Sequence, residues 1–150
     1  MDVTFEPPEF FNAVIAKTGR TYRQWLTRRA RALRDHDCDA GNHVHELAHY
    51  RAAIHTALLR SGGVDEYTGK PIDWLLAFEN RNAQRGGRSR RAFAAAPSVD
   101  HVTGGGLTVA ICRDETNTAK GCMTSDRFYE LCVAVAAQGP KFCGRGKPCQ

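Results

Sequence analysis

The chain has 150 residues, a quarter of them charged, and its formal net charge at pH 7 is +5. This length suits one domain, or a small domain with a helical annex, and is sufficient to bury a core. The sequence contains no secretory signal and no apolar stretch long enough for a membrane span. We therefore expect a cytoplasmic protein without a membrane partner.

Basic residues are concentrated in two stretches of the chain. The first, within residues 17–34, contains no acidic side chain and fits either a solvated helix face or a phosphate-binding surface. The second comprises Arg81, Arg85, Arg88, Arg90 and Arg91. Basic clusters attract nucleic-acid backbones through counterion release, with little sequence preference. We expect the second stretch to bind nucleic acid.

The first half of the chain has the pattern of helices. Residues 9–17 predict a short helix, residues 22–34 a basic amphipathic helix, and residues 42–60 a third helix that ends before two glycines. Tyr22 and Trp25 fit packing anchors better than base-stacking platforms. Residues 35–41 predict a linker or cap, although their Asp, His and Cys side chains could also hold a metal ion.

The second half predicts a strand, a turn, a second strand and a helix. Residues 97–102 begin with a proline and contain β-branched side chains, residues 103–106 include three glycines, and residues 107–112 alternate toward a buried face. Residues 114–116 provide a helix start, residues 117–120 a helical turn, and Gly121 its end. Asn117 should therefore face back toward the hairpin.

Asp100, His101 and Asn117 offer the groups that a one-metal phosphodiesterase needs. The oxygen ligands of Asp100 and Asn117 suit Mg²⁺ or Mn²⁺ better than zinc, and His101 is then free to act as general base. A cation and a base together can position a water and stabilise charge on the phosphate. Lys120 either contacts a phosphate oxygen or is a solvated lysine.

Residues 64–132 resemble the HNH, or ββα-metal (His-Me finger), endonucleases, in the branch without zinc knuckles. The likeness rests on residues 67–74, on Asp100-His101, on Asn117-x-x-Lys120-Gly121 and on residues 124–132. The resemblance implies hydrolysis of DNA with one divalent cation, Mg²⁺ or Mn²⁺. It also implies a hairpin at 67–74, metal ligands at Asp100 and Asn117, and His101 as base.

The sequence departs from this family pattern at several points. It has no paired Cys-x-x-Cys knuckles, so packing must hold the hairpin. The middle Asn of the motif, which buttresses the loop, has no clear counterpart, and Thr108 is the nearest candidate. Asn117 stands where many members have His. The polar side chains at 79–82 could support either metal or substrate.

A second motif, His45-Glu46-Leu47-Ala48-His49, fits the zinc-protease pattern H-E-x-x-H, with His55 in the place of a third ligand. Ala52 replaces the glycine that would turn the chain, so we expect the helix to continue. On that helix an apolar stripe of Val44, Leu47, Ile54 and Leu58 would face away from His45 and His49. We expect a surface histidine pair, and the alternative is a zinc hydrolase.

Six cysteines are scattered along the chain rather than spaced as a disulfide framework. Cys112 and Cys132 lie in apolar runs and are expected to be buried. Cys122 is a candidate for redox sensitivity, and Cys143 could pair with Cys149 on oxidation. Reduced thiols are the expected state.

The sequence as a whole predicts an α+β protein with an HNH-like ββα-metal core. Residues 1–63 would form an N-terminal helical region, residues 64–138 the nuclease core, and residues 139–150 an irregular tail. The expected activity is metal-dependent endonuclease cleavage of DNA, with RNA as the alternative polymer. A noncatalytic nucleic-acid-binding module is a further alternative.

Overall fold

The computed structural model describes residues 4–78 and 90–139. Within these ranges the chain forms five α-helices and one two-stranded antiparallel sheet, which confirms the predicted α+β class. None of these helices is long and apolar enough to cross a bilayer. The elements are α1 (Asn12–Thr18), α2 (Tyr22–Asp39), α3 (Leu47–Ser61), β1 (Pro97–His101), β2 (Val109–Arg113), α4 (Asp114–Lys120) and α5 (Ser125–Gln138), with 3-10 turns at Glu9–Phe11, Trp74–Leu76 and Arg90–Phe93.

Helix α2 packs against α3 and supplies much of the core. Its start is fixed by a capping box, in which the Thr21 hydroxyl accepts from the Gln24 N–H and the Gln24 side chain accepts from the Thr21 N–H. Tyr22 and Trp25 are buried in the core, as predicted. The helix continues past residue 34 to Asp39, so the linker predicted at 35–41 is wrong for most of its length.

Helix α3 begins at Leu47, later than the predicted start at residue 42. The segment before it has no regular secondary structure, and the Asn42 side chain in it donates to Asp37 and to the Gly104 carbonyl. Ile54 and Leu58 are buried, which confirms that part of the predicted stripe, whereas Val44 is 42% exposed.

The hairpin of β1 and β2 forms in the predicted order, followed directly by α4. The register pairs Pro97 with Arg113 and His101 with Val109. Every residue of β1 is buried because α4 packs on this strand and the α2–α3 core covers its other face. Helix α4 ends at Gly121, as predicted.

The prediction of a hairpin at residues 67–74 is wrong. This segment is a turn with a single bridge between Val64 and Pro71, followed by the 3-10 turn. Asp65 stabilises this turn, because its carboxylate accepts from the Tyr67 and Thr68 amides. The same carboxylate accepts from the Arg113 amide and the Thr116 hydroxyl. The local bonds from Tyr67 and Thr68 stabilise the turn, and the long-range bonds from Arg113 and Thr116 tie it to the start of α4.

Helix α5 is attached mainly through its first turn. The Ser125 amide and hydroxyl both donate to the Val102 carbonyl, and Phe128 packs edge-on against Tyr67. No side chain of α5 is fully buried. The burial predicted for Cys132 is therefore wrong, while that of Cys112 is confirmed. Cys143, Cys149 and residues 140–150 of the predicted tail lie outside the described residues.

Candidate active site

Strand β1 directs alternate side chains to opposite faces of the hairpin. Ser98 and Asp100 face α4, where the Asn117 amide donates to the Ser98 hydroxyl over 2.9 Å. Val99 joins the core, and His101 lies beside Asp37 of α2. The prediction that Asn117 faces the hairpin is therefore confirmed.

All four predicted catalytic residues line one cavity of about 420 Å³. β1 contributes Asp100 and His101, and α4 contributes Asn117 and Lys120. Helix α2 provides the wall that the sequence did not predict, including Arg29 and His36. The cavity therefore lies where α2, the hairpin and α4 meet.

Asp100 is held in a buried ion pair. Lys120 Nζ lies 3.1 Å from Asp100 Oδ1 and 3.0 Å from the His101 carbonyl oxygen. The Tyr67 hydroxyl donates to Asp100 Oδ2 over 2.5 Å, and burial, followed by this hydrogen bond, raises the pKa of Tyr67 above its usual range. Lys120 was expected either to be solvated or to contact a phosphate oxygen, and only the first alternative is tested by the structure. The solvated alternative is wrong, because the Lys120 side chain is 1% exposed and its charge is paired with Asp100.

A divalent cation would have to compete with Lys120 for Asp100. The oxygen donors of Asp100 and Asn117 are the right type for Mg²⁺ or Mn²⁺. However, the ammonium group already neutralises the carboxylate, so the pair carries no net charge to attract a cation. In this arrangement the two residues could hold a divalent ion only if the Lys120 ammonium moved away from Asp100.

His101 is a buried imidazole, and one of its ring nitrogens has no hydrogen-bond partner among the described residues. Its side chain is 7% exposed, and Nε2 is buried without a hydrogen-bond partner among the described residues. Burial lowers the pKa of His101 below its ordinary value, although the Asp37 carboxylate opposes this shift. The ring is therefore neutral near pH 7 and able to accept a proton.

Asp37 belongs to the segment 35–41, which the sequence offered as a possible metal site, but its position beside His101 was not predicted. It is fully buried and accepts from the Tyr50 hydroxyl over 2.6 Å and from the Gly106 amide over 3.1 Å. Burial alone would raise the pKa of Asp37, but the hydrogen bonds from Tyr50, Asn42 and Gly106 hold it below its usual value. Asp37 thus anchors the glycine loop after β1, the task expected of the motif's missing Asn. Thr108 instead contacts Val102 through its backbone carbonyl.

Most of the stretch that was predicted to bind nucleic acid lies outside the described residues. Arg81, Arg85 and Arg88 lie outside the described residues, as do positions 79–82, and only the backbone of Arg90 and Arg91 is described. Helix α2 adds a basic side chain to the cavity wall, Arg29, whose guanidinium donates to the Pro97 carbonyl and lies over the Trp25 ring.

The H-E-x-x-H motif does not lie on one helix. His45 precedes α3 and Glu46 is its N-cap residue, while the rings of His45 and His49 are 6.2 Å apart. His55 points into the protein, where the Tyr22 hydroxyl lies 2.8 Å from its Nδ1. The three histidines of the extended motif therefore do not converge.

No family model, curated protein or solved structure matches this chain. The assignment of the site rests on its geometry and chemistry.

Proposed function

We propose that this protein is an endonuclease that hydrolyses phosphodiester bonds in DNA, with His101 as the general base. The observation that supports this most is the shared cavity. Its lining combines the neutral, buried imidazole of His101 with Asp100, Asn117 and Lys120.

His101 would take a proton from the attacking water. The Asp37 carboxylate, 3.5 Å from Nε2, would then stabilise the imidazolium that forms. Asp100 and Lys120 would hold the strand end through their ion pair, and Lys120 also binds the His101 carbonyl. In this proposal Asp100, Asn117 and Lys120 position the base.

The substrate would be a polyanion. Arg29 places positive charge at the cavity, and the chain has a net charge of +5. The basic stretch from Arg81 to Arg91 precedes β1 in the sequence and would bind the phosphate backbone.

The resemblance also implies a requirement for Mg²⁺ or Mn²⁺, which we retain in the proposal. Asp100 and Asn117 would be its ligands only if the Lys120 ammonium moved away. Cleavage with and without a divalent metal tests this requirement.

The test is cleavage of supercoiled plasmid by the full chain with Mg²⁺, with Mn²⁺ and with EDTA, and with structured RNA in parallel. We expect DNA cleavage that needs the metal and stops in EDTA. Cleavage of RNA alone would mean that the substrate is RNA rather than DNA. Cleavage in EDTA would show that the activity does not need a divalent metal. Binding of DNA without any cleavage, by protein shown to be folded, would overturn the proposal in favour of a noncatalytic binding module.

A further inference from the structure

We propose that His36, Asp37 and His101 form a binding site for a transition-metal dication such as Zn²⁺, separate from the oxygen ligands Asp100 and Asn117. One ligand atom from each of the three residues lies within 4.8 Å of the others. Two of them belong to adjacent positions at the end of α2, and the third ends β1.

The separation of the two buried ligands fits a shared ion. His101 Nε2 lies 3.5 Å from Asp37 Oδ1, which is long for a hydrogen bond. Metal–ligand distances of about 2.0–2.2 Å in a tetrahedral shell place two ligand atoms about 3.4 Å apart. The gap between these two atoms therefore suits a metal ion better than a proton.

His101 Nε2 is also a polar atom in need of a partner. It is buried, and no hydrogen bond reaches it from the residues that the structure describes. A buried polar group without a partner costs free energy that a bound cation would remove. This is an observation independent of the clustering of the three side chains.

Asp37 is oriented as metal ligands usually are. The Tyr50 hydroxyl, the Asn42 amide and the Gly106 N–H all bind its oxygens, so its carboxylate cannot rotate freely. Gly105 allows this close approach, because a Cβ there would lie 2.2 Å from Asn42 Nδ2 and 2.9 Å from Asp37 Oδ1.

His36 supplies the entry route and the third ligand. It is exposed and lines the cavity, so its ring can turn toward an ion that arrives from solvent. Two nitrogens and one oxygen favour Zn²⁺, Co²⁺ or Ni²⁺ over Mg²⁺ and leave a position open toward the cavity. If the proposed nuclease function holds, an ion on Nε2 would engage the catalytic base, so Zn²⁺ would inhibit cleavage.

The experiment is a titration of the full chain with Co²⁺, followed by its visible d–d absorption, and with Zn²⁺, followed by calorimetry. We expect one high-affinity ion per chain. His36→Asn should weaken binding by about 10-fold or more. This variant changes an exposed side chain and should fold normally. The double variant His45→Asn/His49→Asn, which removes the half-buried His45 and the exposed His49 outside the site, should bind as the wild type does.

Three results would overturn the site: no binding by folded wild-type protein, unchanged affinity in His36→Asn, or loss of binding in the His45/His49 variant. Plasmid cleavage is scored separately. Stoichiometric metal binding by a protein that cuts no polymer would overturn the nuclease proposal and leave the metal site standing.

Discussion

Asp100 and His101 are neighbours in the sequence, yet their side chains occupy different surroundings. Asp100 faces α4 and is neutralised by Lys120, whereas His101 faces Asp37 and remains uncharged. These surroundings favour Asp100 as an anchor and His101 as the chemically active group. The sequence predicted both residue types for the site, but it could not show which charges would be paired, because the partners come from other elements.

The buried Asp100–Lys120 pair gives a prediction about stability. Lys120→Met removes the ammonium and keeps an unbranched side chain, leaving an uncompensated carboxylate that is 5% exposed. We expect the free energy of unfolding to fall by about 3–5 kcal/mol in urea. In the double variant Asp100→Asn/Lys120→Met, most of this loss should be recovered, since no unpaired charge remains. An equal loss in both variants would show that packing, not charge, is responsible.

The same variant tests where a divalent cation binds. Mn²⁺ should raise the melting temperature of Lys120→Met more than that of the wild type, because the competing ammonium is gone and binding stabilises the folded state. Adding Asp100→Asn should abolish the difference. An identical Mn²⁺ response in the wild type and Lys120→Met would argue against Asp100 as a metal ligand.

His55 gives a prediction about pH. Its ring packs against Phe5 and hydrogen-bonds with Tyr22, and burial lowers its pKa in the folded state. The unfolded chain therefore binds the proton more tightly, with a pKa of about 6.5. The stabilising effect of a neutral His55 is present above that pH and is lost as the pH falls through the folded-state value.

The measurement is the free energy of unfolding between about pH 7.5 and pH 5 for the wild type and His55→Gln. Stability of the wild type should fall more steeply over this range than that of the variant. His101 is retained in both proteins, so its own titration cancels in the comparison. Parallel curves would contradict the assignment to His55.

Secondary-structure elements were predicted correctly where residues close in the sequence determine them. The strand–turn–strand–helix order of residues 97–120 followed from glycine placement and helix-end residues and was confirmed. The extension of α2 to Asp39 was missed because residues 35–41 have the composition of a cap. Asp37 becomes helical and buried through contacts with Tyr50 and Gly106, and Gly106 lies far along the chain. No local pattern reports such contacts.

Removing the N-cap residue should have different effects on α2 and on α5. Thr21 and Thr124 make the same bond, each accepting from the amide three residues on, but α2 has six buried residues and α5 has none. Thr21→Ala should lower global stability by about 1 kcal/mol. Thr124→Ala should speed amide hydrogen exchange within α5 and change the urea midpoint little, because this helix can open locally. A similar fall in global stability for both variants would mean that α5 unfolds with the core.

At the scale of the whole molecule, the site is built at a junction. Helix α2 carries His36 and Asp37, β1 carries Asp100 and His101, and α4 carries Asn117 and Lys120. The sequence predicted the hairpin and α4 as one unit, which accounts for half of the cavity. It assigned the first 63 residues to a helical region packed on that core, but it did not predict that α2 lines the cavity. Long-range packing of this kind is not encoded in periodicity.

The central claim is that His101 in this cavity drives phosphodiester cleavage. The most direct measurement is the rate of plasmid cleavage by His101→Ala compared with the wild type, with His49→Ala as the matched control on the protein surface and circular dichroism to verify folding. We predict that His101→Ala loses about 10²- to 10⁴-fold in rate and that His49→Ala cleaves as the wild type does. Wild-type rates in folded His101→Ala would contradict the account.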